Sequence, residues 1–261
     1  MEDKIYFKNT EEIKLCGILT LPSQKTKTCI VLCHGITVDK EEDGIFTKLA
    51  KDLSSNGFAV FRFDFRGHGE SEGNSKDMTI EGEEKDIEAA FSYLKSRGFS
   101  KFGMVSASFA GGATCLFLSK HKNLVSALVL WNALIDYGSK INTETEWGKK
   151  YWGKPAYDRA EEFGFTEIGS SNFKVGFRLM EEVNTLKPWE KLLEINTPIL
   201  FVHGSKDTYV PYNDSVKYSK MVKNGALITI EDSEHGFHDR KDDAEKADKA
   251  TINFLLKNIK S

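Results

Sequence analysis

Apolar residues along the chain fall into short runs that alternate with segments of helical spacing. Lys14 to Leu21 alternates and stops at Pro22, which predicts a strand. Thr28 to Cys33 is more uniformly apolar, as expected of a strand buried on both faces. Ile45, Leu49 and Leu53, with Phe46 and Ala50 beside them, mark one face of a helix that stops at Asn56-Gly57. Ala59 to Asp64 predicts the next strand. Ile80, Ile87, Phe91 and Leu94 predict another helix, ended by Gly98. A strand at Lys101 to Val105, a helix at Ala113 to His121 and a strand at Ala127 to Trp131 continue the rhythm. It resumes late in the chain with a strand at Ile199 to His203, a helix at Asn213 to Lys223, a strand at Ala226 to Ile230 and a helix at Asp243 to Ile259. Such alternation implies an α/β fold: a mostly parallel twisted sheet with helices on both faces.

From Asn132 to Pro188 the pattern changes. No single period is sustained, and Tyr137, Trp147, Tyr151, Trp152, Tyr157, Phe163, Phe165, Phe173 and Phe177 crowd the segment. We read residues 132–188 as a small cap inserted into a core made of residues 1–131 and 189–261. Most of these rings should form the cap's own core, with some left to face a ligand.

The 261 residues fit one α/β domain with a modest insertion. Net charge of −3 leaves no basic footprint for nucleic acid. The longest apolar stretch, Ala127 to Ile135, is broken by Asn132 and too short to span a membrane. Met1 to Asn9 has no apolar signal-peptide core. Cys16, Cys29, Cys33 and Cys115 form no C-x-x-C pair, and Cys29, Val31 and Cys33 share one strand face, so packing is their expected role. A cytoplasmic location is the expectation.

The stretch that organises the chemistry is Met104-Val105-Ser106-Ala107-Ser108-Phe109-Ala110-Gly111-Gly112. A strand that turns directly into a helix around a serine with small neighbours is a nucleophile elbow, usually G-x-S-x-G. The tight turn lifts the serine hydroxyl clear of the sheet, and residues two positions either side must be small. Ser106 and Ala110 stand where glycines usually do, and both are small enough for the turn to close. Ser108 is the candidate nucleophile; taking Ser106 instead would put Met104 at a position that should be small.

Serine needs a base, and the base an orienting acid. Asp207 follows one late strand and His235 the next, in the chain order serine, acid, histidine. Asp214 reads instead as a helix-start residue, and His203 as a packed or loop-bonding histidine. His238 lies three residues past His235, but Gly236 disfavours a helix there and no metal-ligand cluster completes a site. Donors for an oxyanion are expected at the backbone N–H of Phe109, after the nucleophile, and of Ile36, in the loop His34-Gly35-Ile36. The loop Asp64-Phe65-Arg66-Gly67-His68-Gly69-Glu70-Ser71 should use its charges internally rather than on a ligand.

With His34-Gly35-Ile36-Thr37, Phe61 to Ser71, Asp77-Met78-Thr79 and the Asp207 and His235 loops in view, the chain resembles an α/β-hydrolase serine esterase. Within that superfamily it is most similar to the bacterial feruloyl (cinnamoyl) esterases. The resemblance implies Ser108, Asp207 and His235 as triad, Ile36 and Phe109 as oxyanion donors, and an inserted cap over them. Asp136 and Tyr137, at the cap's start, are candidates to meet a phenolic hydroxyl, with Trp147 and Trp152 as further substrate-binding candidates. The implied reaction is hydrolysis of small to medium esters through an acyl-enzyme, with no metal and no organic cofactor. The expected partner is a small-molecule ester, with a homodimer left open. A thioesterase, acyltransferase or peptidase could use the same triad. A non-catalytic binding protein on this fold would lack a triad member, and none is lacking here.

Overall fold

The computed structural model describes residues 1–138, 144–171, 173–238 and 240–259, apart from the Lys241 side chain. Its sheet is built outward from two strands with no exposed face. β3 (Thr28–Cys33) and β4 (Ala59–Phe63) are buried at every position and pair in parallel, Val31 opposite Phe61. On the other side of β3 lies β5 (Lys101–Ala107), with Val31 opposite Met104. β6 (Ala127–Trp131), β9 (Ile199–Gly204) and β10 (Gly225–Ile230) extend the parallel sheet beyond β5. At the opposite edge β2 (Lys14–Thr20) runs antiparallel to β4, and β1 (Glu2–Lys8) antiparallel to β2. The order across the sheet is β1-β2-β4-β3-β5-β6-β9-β10. The hydrophobic pattern does not predict β1. It buries only Phe7, and as an edge strand it takes its order from pairing with β2 rather than from an apolar face.

Each face of the sheet is covered. α1 (Ile45–Ser55) buries Phe46, Leu49, Ala50 and Leu53 on the face that carries Ile30, Leu32, Val60 and Val129. There it meets α9 (Lys241–Asn258), which contributes Leu255. α2 (Ile80–Ser96) and α3 (Ala110–Lys120) pack together on the other face, against Cys29, Val31, Phe63 and Met104. Thr79 starts α2 by accepting the Gly82 N–H at 2.9 Å, an N-cap that satisfies one of the first-turn donors. α8 (Tyr212–Met221) connects β9 to β10. All four cysteines are buried and unbridged.

The described part of the segment after β6 consists of short elements. These are α4 (Glu146–Trp152), α5 (Lys154–Phe163), the antiparallel pair β7 (Phe165–Ile168) and β8 (Phe173–Gly176), and α6 (Phe177–Thr185). α7 (Pro188–Leu192) leads back to β9. No element here runs long enough to establish a period, which is why the sequence pattern loses its rhythm. Among the described residues no helix is long and apolar enough to cross a membrane.

The sheet order creates the site. From β3 the chain crosses to β4 on one side, then returns to β5 on the other. Loops leaving β3 and β5 therefore diverge, and a crevice opens at the carboxyl ends of these strands.

Candidate active site

Ser108 sits at the end of β5, immediately before α3, with a left-handed φ of 48°. A non-glycine residue in that region is strained by about 1–3 kcal/mol unless its surroundings hold it. Here three hydrogen bonds do so. Ser108 N–H donates to the Trp131 carbonyl at 2.9 Å, and its own carbonyl accepts from Leu134 at 2.8 Å and Gly111 at 3.1 Å. The small neighbours each have a steric reason. Ser106 is wholly buried with its hydroxyl 2.8 Å from that of Thr114, so serine is tolerated where glycine is usual. A Cβ on Gly112 would collide with the Tyr137 hydroxyl, 1.7 Å away.

The loops after β9 and β10 bring two more side chains to this hydroxyl. His235 Nε2 is 3.0 Å from Ser108 Oγ, and His235 Nδ1 is 2.7 Å from Asp207 Oδ2. Asp207 Oδ1 accepts the N–H groups of Tyr209 and Val210, each at 2.8 Å. Burial by itself would raise the Asp207 carboxyl; charge and hydrogen bonds from His235 and His203 hold it well below the usual carboxylate range. Burial pulls His235 the other way, but the Asp207 carboxylate and then Glu42 keep its imidazole above the ordinary value. The three residues form a chain able to move a proton from a serine hydroxyl to an imidazole and keep the resulting cation paired.

His203 was not assigned to this chain by sequence reasoning, which expects a packed histidine. It is buried, and its Nδ1 lies 2.7 Å from Ser215 Oγ. With Nδ1 accepting from that hydroxyl, Nε2–H turns to Asp207 Oδ2 at 3.1 Å. Asp207 thus carries two imidazoles. The only sequence signal is the four-residue separation, which means little across a strand end.

The N–H of Ile36, expected from the sequence as an oxyanion donor, is oriented by a second histidine. His34 Nε2 accepts the Phe65 N–H at 3.0 Å, so the ring proton is on Nδ1, which donates to the Gly35 carbonyl at 2.7 Å. Burial lowers the His34 pKa to about 4, so it stays neutral in that tautomer. Because the peptide is planar and trans, pinning the Gly35 carbonyl aims the Ile36 N–H the opposite way. Ile36 and Phe109 both line the cavity at Ser108. Phe109 is also the N-cap of α3, where first-turn N–H groups lack intrahelical acceptors.

That cavity measures about 490 Å³. Glu42 forms part of its wall, with Oε2 accepting the Gly35 N–H at 2.7 Å. Burial, with the like charges of Asp43 and Asp39, pushes the Glu42 carboxyl up to about 7 against the opposing pull of the Gly35 N–H and His235. Of the four cap candidates for substrate binding, the structure places only Trp147 on the cavity, beside Tyr151 and Tyr209. The other three need correction. Asp136 spends its carboxylate on the Tyr218 hydroxyl, at 2.5 Å. Tyr137 is buried, its hydroxyl filling the space left by Gly112 and lying 3.4 Å from the Phe109 carbonyl. Trp152 lies nearly parallel to the Phe109 ring, centroids 5.6 Å apart, and is also buried. Tyr137 and Trp152 support the elbow from beneath, and Asp136 ties its segment to α8.

Other residues weighed from the sequence fall outside the chain from Ser108 to Asp207. Asp214 is buried in the first turn of α8, and His238 lines the cavity rim. Among the described residues no group of three or more histidine, cysteine or acidic side chains is arranged to hold a metal ion. The charges of the loop from Asp64 to Ser71 are spent on protein partners, as expected, but mostly on side chains outside the loop rather than within it. Asp64 accepts from Lys40 Nζ at 2.8 Å and from the N–H groups of Lys40 and Glu70, while Arg66 pairs with Asp86 on α2.

Comparisons with known proteins agree with this architecture. Residues 28–154 match the family described as alpha/beta hydrolase fold. Serine hydrolase BPHL of Homo sapiens is 25% identical over 232 residues, covering 87% of this chain and 78% of that protein. An acyl transferase of Shewanella woodyi is 26% identical over 174 residues, covering 65% of this chain and 55% of its own length. Among solved structures, Est1E from Butyrivibrio proteoclasticus with ferulic acid bound superposes with a TM-score of 0.83 at 23% identity, over 98% of this chain and 99% of that one.

Proposed function

Taking the α/β-hydrolase fold of this chain as premise, we propose that it is a serine carboxylic-ester hydrolase working through an acyl-enzyme. The observation that carries this reading is the unbroken contact chain Ser108 Oγ–His235 Nε2 and His235 Nδ1–Asp207 Oδ2, at 3.0 and 2.7 Å, at the head of a strained elbow. Ser108 attacks the ester carbonyl while His235 takes its proton. Asp207 holds the imidazole with Nδ1–H turned inward and stabilises the imidazolium. The carbonyl oxygen, becoming an oxyanion, lies against the N–H groups of Ile36 and Phe109. His235 returns the proton to the departing alcohol. Water then repeats the sequence on the acyl-enzyme, releasing the acid and restoring Ser108. The working site is the cytoplasm, where four unbridged cysteines are expected.

For the acyl group we favour aromatic acids of the cinnamoyl type, or medium aliphatic chains, over acetate. Trp147, Tyr151 and Tyr209 supply one apolar wall of the cavity, and the similar Est1E structure holds ferulic acid. Burying one extra ring is worth about 1.5–3 kcal/mol, roughly ten- to hundredfold in kcat/KM. The test has two stages. A fluorophosphonate should label the protein, with the modified peptide mapping to Ser108; failure to label Ser108 overturns the hydrolase reading. Then kcat/KM is compared for acetate, octanoate, cinnamate and ferulate esters of one alcohol. Preference for acetate throughout would mean that the aromatic wall serves packing only.

A further inference from the structure

The cavity at Ser108 has two walls of different chemistry. One is acidic. Glu42 Oε2 is held by the Gly35 N–H, and Oε1 lies 3.4 Å from the point where a Gly35 Cβ would stand; Ser108 Oγ lies 3.5 Å from the same point. Asp43 lines the same cavity, and Asp39 lies in the adjoining recess. Among the described residues none of these three carboxylates is paired with a lysine or arginine, and none of either type lines the cavity. Glu41, by contrast, is engaged by Arg62 and Thr47, so the loop turns one carboxylate inward to a cation and the next towards the nucleophile. Glu42 and Asp43 both have left-handed φ values, 46° and 52°, followed by Gly44. That conformation is costly for non-glycine residues.

The second wall is aromatic. Trp147 and Tyr209 stack at 5.3 Å with 23° between their planes, and Tyr151 meets Trp147 at 5.4 Å. Tyr209 in turn lies 5.0 Å from the His235 ring. Ring faces attract cations and do not attract anions. A carboxylate with no lysine or arginine partner, lining the same cavity as three aromatic side chains, is an arrangement suited to an ammonium group.

We propose that Glu42 is a substrate-selecting carboxylate that pairs with a positively charged group of the ester, an ammonium or quaternary ammonium, held between it and the Trp147–Tyr209 wall while the ester carbonyl lies at Ser108. This rests on the serine-hydrolase reading and narrows its substrate class. It also disfavours anionic substrates, including thioesters of phosphate-bearing carriers, because like charges would meet at Glu42. Groups facing Glu42 are His235 from the loop after β10, with Asp43 and Asp39 from its own loop; His238 lies farther along the same cavity. The Glu42 carboxyl is poised to ionise near neutral pH, so the attraction should strengthen as pH rises through about 7.

The experiment compares two cinnamate esters of the same shape, one of choline and one of 3,3-dimethylbutanol, in which carbon replaces the charged nitrogen. The readout is the ratio of their kcat/KM values, in which the titration of His235 and any change in Ser108 geometry cancel. The expected ratio is on the order of tenfold in favour of choline at pH ~8, falling several-fold by pH ~5.5 to the smaller part that the rings supply. Glu42→Gln, whose amide oxygen can still accept the Gly35 N–H, should bring the ratio down to that low-pH value and abolish its pH step. A purely structural role for Glu42 would lower both esters together and leave the ratio unchanged. A wild-type ratio near one, no hydrolysis of the choline ester while neutral esters are cleaved, or an unchanged ratio in Glu42→Gln overturns the proposal. The wild-type pH dependence gives the same decision if the variant does not fold. Absence of any ester hydrolysis together with no fluorophosphonate label on Ser108 would instead refute the serine-hydrolase reading.

Discussion

Gly35→Ala probes how closely the loop after β3 approaches Ser108, the proposed nucleophile. Gly35 has no left-handed φ, so alanine brings no backbone strain of its own. Its Cβ would stand 3.0 Å from Ser108 Cβ, 3.4 Å from Glu42 Oε1 and 3.5 Å from Ser108 Oγ. Carbon–carbon contacts are comfortable at about 3.5–4.0 Å, so the shortfall is roughly 0.5–1 Å. Ser108 has little room to yield. Its N–H is tied to Trp131 and its carbonyl to Gly111 and Leu134, at a φ of 48°. Relaxation is therefore shared between the Gly35–Ile36 loop and Ser108, whose relative position the proposed reaction depends on. A misplacement of about 1 Å costs on the order of 10² in rate, and the new methyl also crowds the place where the carbonyl must enter. We expect kcat/KM for a cinnamate ester to fall by roughly 10²-fold. Stability should change far less. Lower unfolded-state entropy contributes about 0.4–1 kcal/mol, and overpacking opposes it by about 1–3 kcal/mol. The assay pairs ester kinetics with urea unfolding of the same preparation. A folded Gly35→Ala protein with activity within about threefold of wild type would refute the reasoning.

Other consequences can be checked alongside. Asp207→Asn should lower kcat by about 10⁴ without unfolding the protein, because the His235 tautomer is no longer held; a loss below tenfold argues against the assignment. His235 must be neutral to act as base and its pKa lies above the ordinary value of about 6.5, so kcat/KM for a neutral ester should fall on the acid side with a midpoint above that value. Since Glu42 adds to the lift, Glu42→Gln should move that midpoint to lower pH; a profile flat down to pH ~5, or a midpoint that does not move, counts against the electrostatics. Asp86 is wholly buried and accepts from Arg66 and Asn9, so Asp86→Ala leaves the buried Arg66 guanidinium to Glu11 alone and should cost about 1.5–3 kcal/mol in urea unfolding; a cost under about 0.5 kcal/mol would show that Glu11 by itself suffices.

What the sequence determined by itself is the part of the molecule governed by local sterics and periodicity. Cys29 to Cys33 and Ala127 to Trp131 are apolar throughout because strands in the middle of a parallel sheet have no wet face, and strands are found at Thr28–Cys33 and Ala127–Trp131. A serine between small residues at a strand–helix junction is legible because the turn itself excludes larger neighbours. Asp207 and His235 were legible because each follows a buried strand whose pattern marks where its loop must emerge. β1 escaped notice because an edge strand needs a pairing partner more than an apolar face.

Only the tertiary structure decided which side chains share a partner. Aromatic content in residues 132–188 raised the expectation of a cap, but whether a given ring faces a ligand or the core depends on the surface beneath it. Tyr137 drops onto Gly112 and Trp152 onto Phe109, leaving Trp147 at the cavity. Asp136 is taken by Tyr218, 82 positions away in the chain. His203 joins His235 on Asp207, and His34 aims a peptide by bridging Phe65 and Gly35. Glu42 meets His235 only because the loops after β3 and β10 converge over β5. Hydrogen bonds and steric fit act over about 3–4 Å, and residues far apart in the chain come within that range only once the sheet has set its order.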